Sequence, residues 1–142
     1  MKKLKLQNNT INIVMYHYIR PIKDSKYPSI KGLEINEFEN QINFFLKNAN
    51  IISEEQLINN INKKKISKKP SVLLTFDDGY KDHFQYVFPI LMKNKISGIF
   101  YPPQKVVENK IVLDVNKIHF ILEKQNDSKK LLNYIINFLE KK

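Results

Sequence analysis

Cysteine is absent from the 142 residues, which excludes disulfides and thiolate-held zinc or iron–sulfur centres. A metal here would have to be held by Asp, Glu, His, carbonyls or water. Tryptophan is absent too, and the aromatic content comes from nine Phe and seven Tyr. Arg20 is the only arginine. Guanidinium groups make the bidentate contacts to phosphates and bases, so their scarcity argues against specific nucleic-acid binding despite a formal charge of +10. That charge is carried by lysine. With abundant Asn and Ile, it reads as the codon usage of an AT-rich genome. The densest cluster, Lys63, Lys64 and Lys65 with Lys68 and Lys69, reads as a solvated loop. No apolar run is long enough to span a bilayer. Lys2, Lys3 and Lys5 lead into Gln7, Asn8, Asn9 and Thr10 rather than an apolar segment, which does not read as a secretory leader. The expectation is a soluble cytoplasmic protein with neither membrane nor specific nucleic-acid partners.

What is present is enough for one domain over residues 1–142, with 42% hydrophobic residues to form a core. Ile11–Tyr16 is rich in β-branched residues and predicts a strand with His17 at its end. Pro21, Asp24, Ser25, Pro28, Ser29 and Gly32 mark a long loop. Phe38, Ile42, Phe45 and Leu46 predict a helix over about 36–47. Ser53 followed by Gln56 is a capping-box pattern that opens a helix continued by Leu57 and Ile61. Ser71–Phe76 predicts a second strand. The stripe of Phe84, Val87, Phe88 and Leu91 predicts a helix to Lys93, and Ile96–Tyr101 a third strand closed by Pro102 and Pro103. A weak strand or turn over 111–113 then precedes one helix with Ile118, Phe120, Ile121 and Leu122, and another with Leu131, Leu132, Ile135, Ile136 and Leu139. Strands alternating with helices argue for an α/β fold with a largely parallel sheet, although three or four strands are too few to close a barrel.

The stretch Ser71 to Tyr80 is the richest in chemistry. The apolar run Val72, Leu73, Leu74 and Phe76 reads as a strand buried on both faces, and it ends in adjacent carboxylates followed by one of only three glycines. Gly79 permits a sharp turn, which places Asp77 and Asp78 at the strand's C-terminal edge, where α/β folds keep their ligand sites. Two carboxylates so close repel unless a cation or a shared proton intervenes. Capping of the following helix is the structural alternative.

Thr75-Phe76-Asp77-Asp78-Gly79 resembles the first motif of the polysaccharide deacetylases, the NodB-homology or carbohydrate esterase family 4 domain. Met15-Tyr16-His17 resembles the strand before that motif and Gly98-Ile99-Phe100-Tyr101 the strand after it, so the similarity covers about Asn12 to Tyr101. Tyr80 stands where some members have proline. The resemblance implies an irregular (β/α) barrel, here in part, and removal of acetyl groups from sugars with a divalent metal, commonly zinc. It assigns Asp77 as general base and Asp78 as metal ligand.

The family's paired histidines four residues apart are missing, as are its later arginine and histidine motifs; His17, His83 and His119 lie far apart. The expectation is therefore an incomplete N-terminal portion, inactive alone, that binds zinc weakly. Its partners would be an acetylated carbohydrate and either a complementary C-terminal segment or a second copy. His17 is the histidine placed nearest the site, as a ligand or a supporting residue; His83 reads as solvent-facing or capping, and His119 as structural. The alternative function is a non-catalytic remnant or binding module. A phosphatase with an Asp nucleophile needs its acid on an alternate residue, a spacing that Asp77-Asp78-Gly79 lacks.

Overall fold

The computed structural model describes residues 6–63, 67–125 and 127–140. Lys2, Lys3 and Lys5, and Lys64 and Lys65 of the basic cluster, lie outside the described residues. The elements in chain order are β1 (Ile11–Tyr16), α1 (Ile35–Asn48), β2 (Asn50–Ile51), α2 (Glu54–Asn62), β3 (Ser71–Asp77), α3 (Phe88–Lys93), β4 (Ile99–Tyr101), α4 (Gln104–Asn109), α5 (Asp114–Lys124) and α6 (Ser128–Leu139). A π-helical turn, His83–Val87, runs directly into α3.

All strand pairings are parallel, and β3 is the hub. β1 runs along one edge of β3, with Ile11 opposite Ser71 and Tyr16 opposite Phe76. The other edge is shared: β2 pairs at Ser71 and Val72, and β4 pairs from Thr75 to Asp77. This is an open parallel sheet, part of a (β/α) barrel. The two-residue β2 was not expected from its composition. It forms because Asn50 N–H donates to the Pro70 carbonyl and Ile52 N–H to the Val72 carbonyl at the start of β3.

Alternation along β3 sends Val72, Leu74 and Phe76 to one face, where they meet Phe38, Ile42 and Phe45 of α1 and Val87, Ile90 and Leu91 of the π turn and α3. Each fully buried large apolar side chain here is worth about 1.5–3 kcal/mol of transfer free energy. Phe76 anchors this layer, stacked on Tyr16 and Phe100 and edge-on to Phe38. Gly98 is required beside it, because a Cβ there would lie 2.5 Å from Phe76 Cε2. The opposite face carries Leu73 and Thr75 paired with Ile13 and Met15, and the last two are 64% and 60% exposed. Among the described residues, no strand pairs with the outer edge of β1.

The capping box at Ser53 forms as expected: Gln56 N–H donates to Ser53 Oγ, and Ser53 N–H donates to Gln56 Oε1. Elsewhere local backbone requirements override the pattern. The stripe expected from Phe84 and Phe88 is not the buried one; Phe84 is 74% exposed, and His83, Val87, Ile90 and Leu91 face the core. The π turn shifts the helical phase just before Pro89, which has no N–H to give to the preceding turn. β4 begins at Ile99 rather than Ile96, because 94–96 close α3: Lys95 adopts φ 53° and Ile96 N–H bonds back to the Leu91 carbonyl. Residues 111–113 form no strand; they follow a left-handed Lys110 that ends α4. Ile118, Ile121 and Leu122 are exposed on α5, as are Leu132, Ile135 and Ile136 on α6.

Candidate functional site

The parallel register puts the ends of β1, β3 and β4 at one edge of the sheet. Tyr16 lies opposite Phe76, so His17 follows at the level of Asp77, and Asp77 pairs with Tyr101. Asp77 is the last residue of β3, and the chain turns at Asp78 and Gly79. Gly79 takes φ +63°, as a sharp turn requires, and a Cβ there would lie 2.9 Å from Pro102. Asp78 itself is also left-handed, at φ 70°. For a residue with a Cβ this conformation is uncommon, although Asp tolerates it better than most. The two consecutive left-handed residues end the strand at Asp77, so its alternation of faces does not continue through Asp78.

Asp78 Oδ2 accepts a 2.6 Å hydrogen bond from the Tyr80 hydroxyl. The Tyr80 phenol is driven well above its ordinary range, first by burial and then by the Asp78 hydrogen bond, so it remains a donor. Its oxygen accepts from Asn116 Nδ2 at 2.6 Å, and the same amide nitrogen donates to the Tyr18 hydroxyl at 3.2 Å. The Tyr18 hydroxyl lies 3.4 Å from His119 Nδ1. Neither helix capping nor an isolated carboxylate pair describes this arrangement. It is a polar chain running from the turn into α5, and sequence reading missed Tyr80, Tyr18 and Asn116. The one available signal was Tyr80 itself, at a position where a proline would have had no hydroxyl to offer.

The sole arginine lies beside this chain. Arg20 Nε pairs with Asp82 Oδ2, and the guanidinium sits 4.9 Å from the centroid of the Tyr18 ring. Tyr18 stacks on Tyr80 at 4.4 Å between centroids.

The histidines fall in three different settings. His17 is exposed at the sheet edge, and its carbonyl accepts from His83 Nε2 at 2.8 Å. His83 is not solvent-facing as expected. It is 4% exposed, enclosed by the rings of Phe76, Tyr80 and Phe100, and its Nδ1 has no hydrogen-bond partner among the described residues. Burial lowers its pKa against the opposing pull of the His17 carbonyl and the nearby Asp82 and Asp78. His119 is exposed and faces Tyr18, so it borders the site rather than packing in a core. No group of three or more His, Asp or Glu among the described residues could hold a metal ion. The donor set also fits poorly: one Asp78 oxygen is taken by a phenol hydrogen, and one His83 nitrogen is committed to a backbone carbonyl. These residues do not by themselves form a zinc site.

Comparison with known proteins bears on the same stretch. The polysaccharide deacetylase family model matches residues 63–132, which contain Asp77, Asp78, Tyr80 and Asn116. A de-N-acetylase from Aggregatibacter actinomycetemcomitans superposes with a TM-score of 0.54 at 26% identity, covering 65% of this chain and 37% of its own. The Streptococcus pyogenes deacetylase PplD, solved with acetate, gives 0.62 at 20% identity over 79% of this chain and 51% of its own. IcaB from Ammonifex degensii gives 0.58 at 24% identity over 70% and 40%. The last two speak to the fold alone. No curated protein matches the chain. The matched motif and the shared partial (β/α) barrel define a deacetylase-type fold with a carboxylate turn at its open edge. Over residues 63–132 the chain is similar to the polysaccharide deacetylase family. It spans about a third to a half of the length of the solved structures it matches. No helix among the described residues is long and apolar enough to cross a membrane.

Proposed function

We propose that this chain, as one domain over 1–142, carries the acidic half of a metal-dependent hydrolase that removes acetyl groups from a carbohydrate. The observation behind this reading is the Asp77–Asp78 turn at the C-terminal end of β3, inside the segment matched by the family. Asp77 is the general base: it ends the strand at the open edge, within reach of water and substrate, and takes the proton of the attacking water. Asp78 is the carboxylate offered to a divalent cation, zinc by the chemistry of the family, with His17 at the same edge as a supporting group. Because the residues here do not complete a metal site, cation binding by the chain alone is weak and the isolated chain is inactive.

The exposed Ile13 and Met15 on β1, the edge strand, support association with a complementary C-terminal segment or a second copy. A cytoplasmic location accords with the absence of a spanning helix among the described residues. The second reading, a non-catalytic binding module, is favoured by the phenol hydrogen already on Asp78. Release of acetate from acetylated glucosamine oligomers, with and without zinc and with and without a histidine-bearing second segment, separates the two. Activity that appears only with that segment and zinc supports deacetylation. Sugar binding without turnover in every combination supports the binding module.

A further inference from the structure

The most buried residue of α5 is an amide. Asn116 is 5% exposed, while Val115, Ile118, Ile121 and Leu122 of the same helix stand about half open to solvent. Asparagine gains little inside a helix, and a buried amide is tolerated only when its hydrogens are paired. Both hydrogens of Nδ2 have acceptors, the Tyr80 oxygen and the Tyr18 oxygen. An amide nitrogen can only donate, so both phenol oxygens act as acceptors toward it. Each phenol accepts from Asn116; Tyr80 turns its own hydrogen outward to Asp78 Oδ2, and the Tyr18 hydroxyl lies 3.4 Å from His119 Nδ1. The stacking of the two rings keeps either hydroxyl from swinging away alone.

Asp78 is where such a restraint has an effect. It sits in a left-handed turn on an open edge, so its backbone alone does not choose between carboxylate orientations. We infer that Tyr80 is the positioning residue of Asp78 and that Asn116, from 36 residues further along the chain, holds Tyr80 in that role. The phenol hydrogen occupies one lone pair of Oδ2, which restrains the plane of the carboxylate and favours Oδ1 as the oxygen presented to a ligand. The orientation of the working carboxylate is thereby set from α5, a helix that otherwise has little buried surface. This inference rests on the reading of Asp78 as the carboxylate that meets the ligand.

The test is carbon NMR of the full chain labelled at aspartate carboxyls, with the Asp78 signal identified by its loss in Asp78→Asn. Tyr80→Phe removes only the hydroxyl and should shift the Asp78 signal. Asn116→Asp keeps the size of the side chain but replaces both N–H donors with an acceptor. The Tyr80 hydrogen should then turn to the new carboxylate, and the Asp78 signal should move in the same sense as in Tyr80→Phe. An Asp78 signal unmoved by Tyr80→Phe overturns the inference. One that responds to Tyr80→Phe but not to a folded Asn116→Asp removes Asn116 from it. Should Asn116→Asp not fold, Asn116→Ser, which keeps one donor on a shorter arm, should give a partial shift, and no shift there has the same meaning. A wild-type chain that fails to deacetylate or to bind zinc under any condition removes the functional reading and leaves these carbon shifts unaffected.

Discussion

Gly98→Ala should destabilise the fold by driving β4 off the core, and Phe76→Leu should relieve part of the damage. The added methyl would meet Phe76 Cε2 at 2.5 Å, Phe76 Cδ2 at 3.1 Å and Leu91 Cδ1 at 3.3 Å. Phe76 cannot give way: it is fully buried and held by stacking on Tyr16 at 5.3 Å and Phe100 at 4.8 Å between centroids. Forcing a methyl into a filled core costs about 1–3 kcal/mol. Alanine recovers about 0.4–1 kcal/mol by restricting the unfolded chain. The net loss should be roughly 1–2 kcal/mol. Phe76→Leu by itself forfeits ring contacts worth about 0.5–1.5 kcal/mol each. It also removes the Cε2 and Cδ2 atoms that the methyl strikes, so the double variant should lose about 1 kcal/mol less than the sum of the singles. Urea unfolding at one fixed chain concentration, followed by far-ultraviolet circular dichroism, measures all three. A Gly98→Ala chain within about 0.3 kcal/mol of wild type, or strictly additive losses, would refute the reasoning. The consequence reaches the site, because β4 delivers Tyr101 beside Asp77 and Pro102 against Gly79.

His83 should make stability depend on pH in one direction. Its folded pKa is lowered from the ordinary 6.5 by burial, so the unfolded chain binds the proton first, and stability present above 6.5 declines as pH falls from 6.5 toward the folded value. Melting temperatures between pH 8 and 5 should show this decline, and His83→Phe should flatten it while losing about 1 kcal/mol at pH 8 with the bond to the His17 carbonyl; an equal slope in both proteins would refute it. Calorimetric titration of the isolated chain with zinc should show weak binding, since one carboxylate oxygen is occupied and three ligands do not converge among the described residues; tight one-to-one binding would contradict this. With a histidine-bearing segment supplied, Asp77→Asn should lower turnover by 10²-fold or more, on the order expected for a lost general base, while zinc remains bound; Asp78→Asn should lose the zinc. Sedimentation should show concentration-dependent association through the exposed edge strand β1, and Ile13→Lys with Met15→Lys should reduce it; a monodisperse wild-type monomer would remove that surface from consideration.

Much of this molecule was decided by sequence alone. The β-branched run before His17 and the apolar run before Asp77 read as strands, and the Ser53–Gln56 pair marked a helix start, because these signals depend on local sterics and short-range hydrogen bonds. The carboxylate turn was legible for the same reason, since a glycine after two acids permits the chain to bend sharply where the apolar run stops. The two-residue β2, the phase of the stripe around Pro89 and the late start of β4 were decided elsewhere, by the edge of β3 and by how one helix winds and ends. His83 became buried and neutral because aromatic rings from β3, β4 and the turn after Gly79 close around it. Asn116 shows the limit most clearly. Within its own stretch it is an unremarked polar residue among more apolar neighbours, and it becomes the buried centre of the site only when α5 lies across Tyr18 and Tyr80. Periodicity locates an apolar face, but hydrogen bonds between residues 36 and 98 positions apart leave no periodic trace, so only the tertiary structure decided which amide would hold the site.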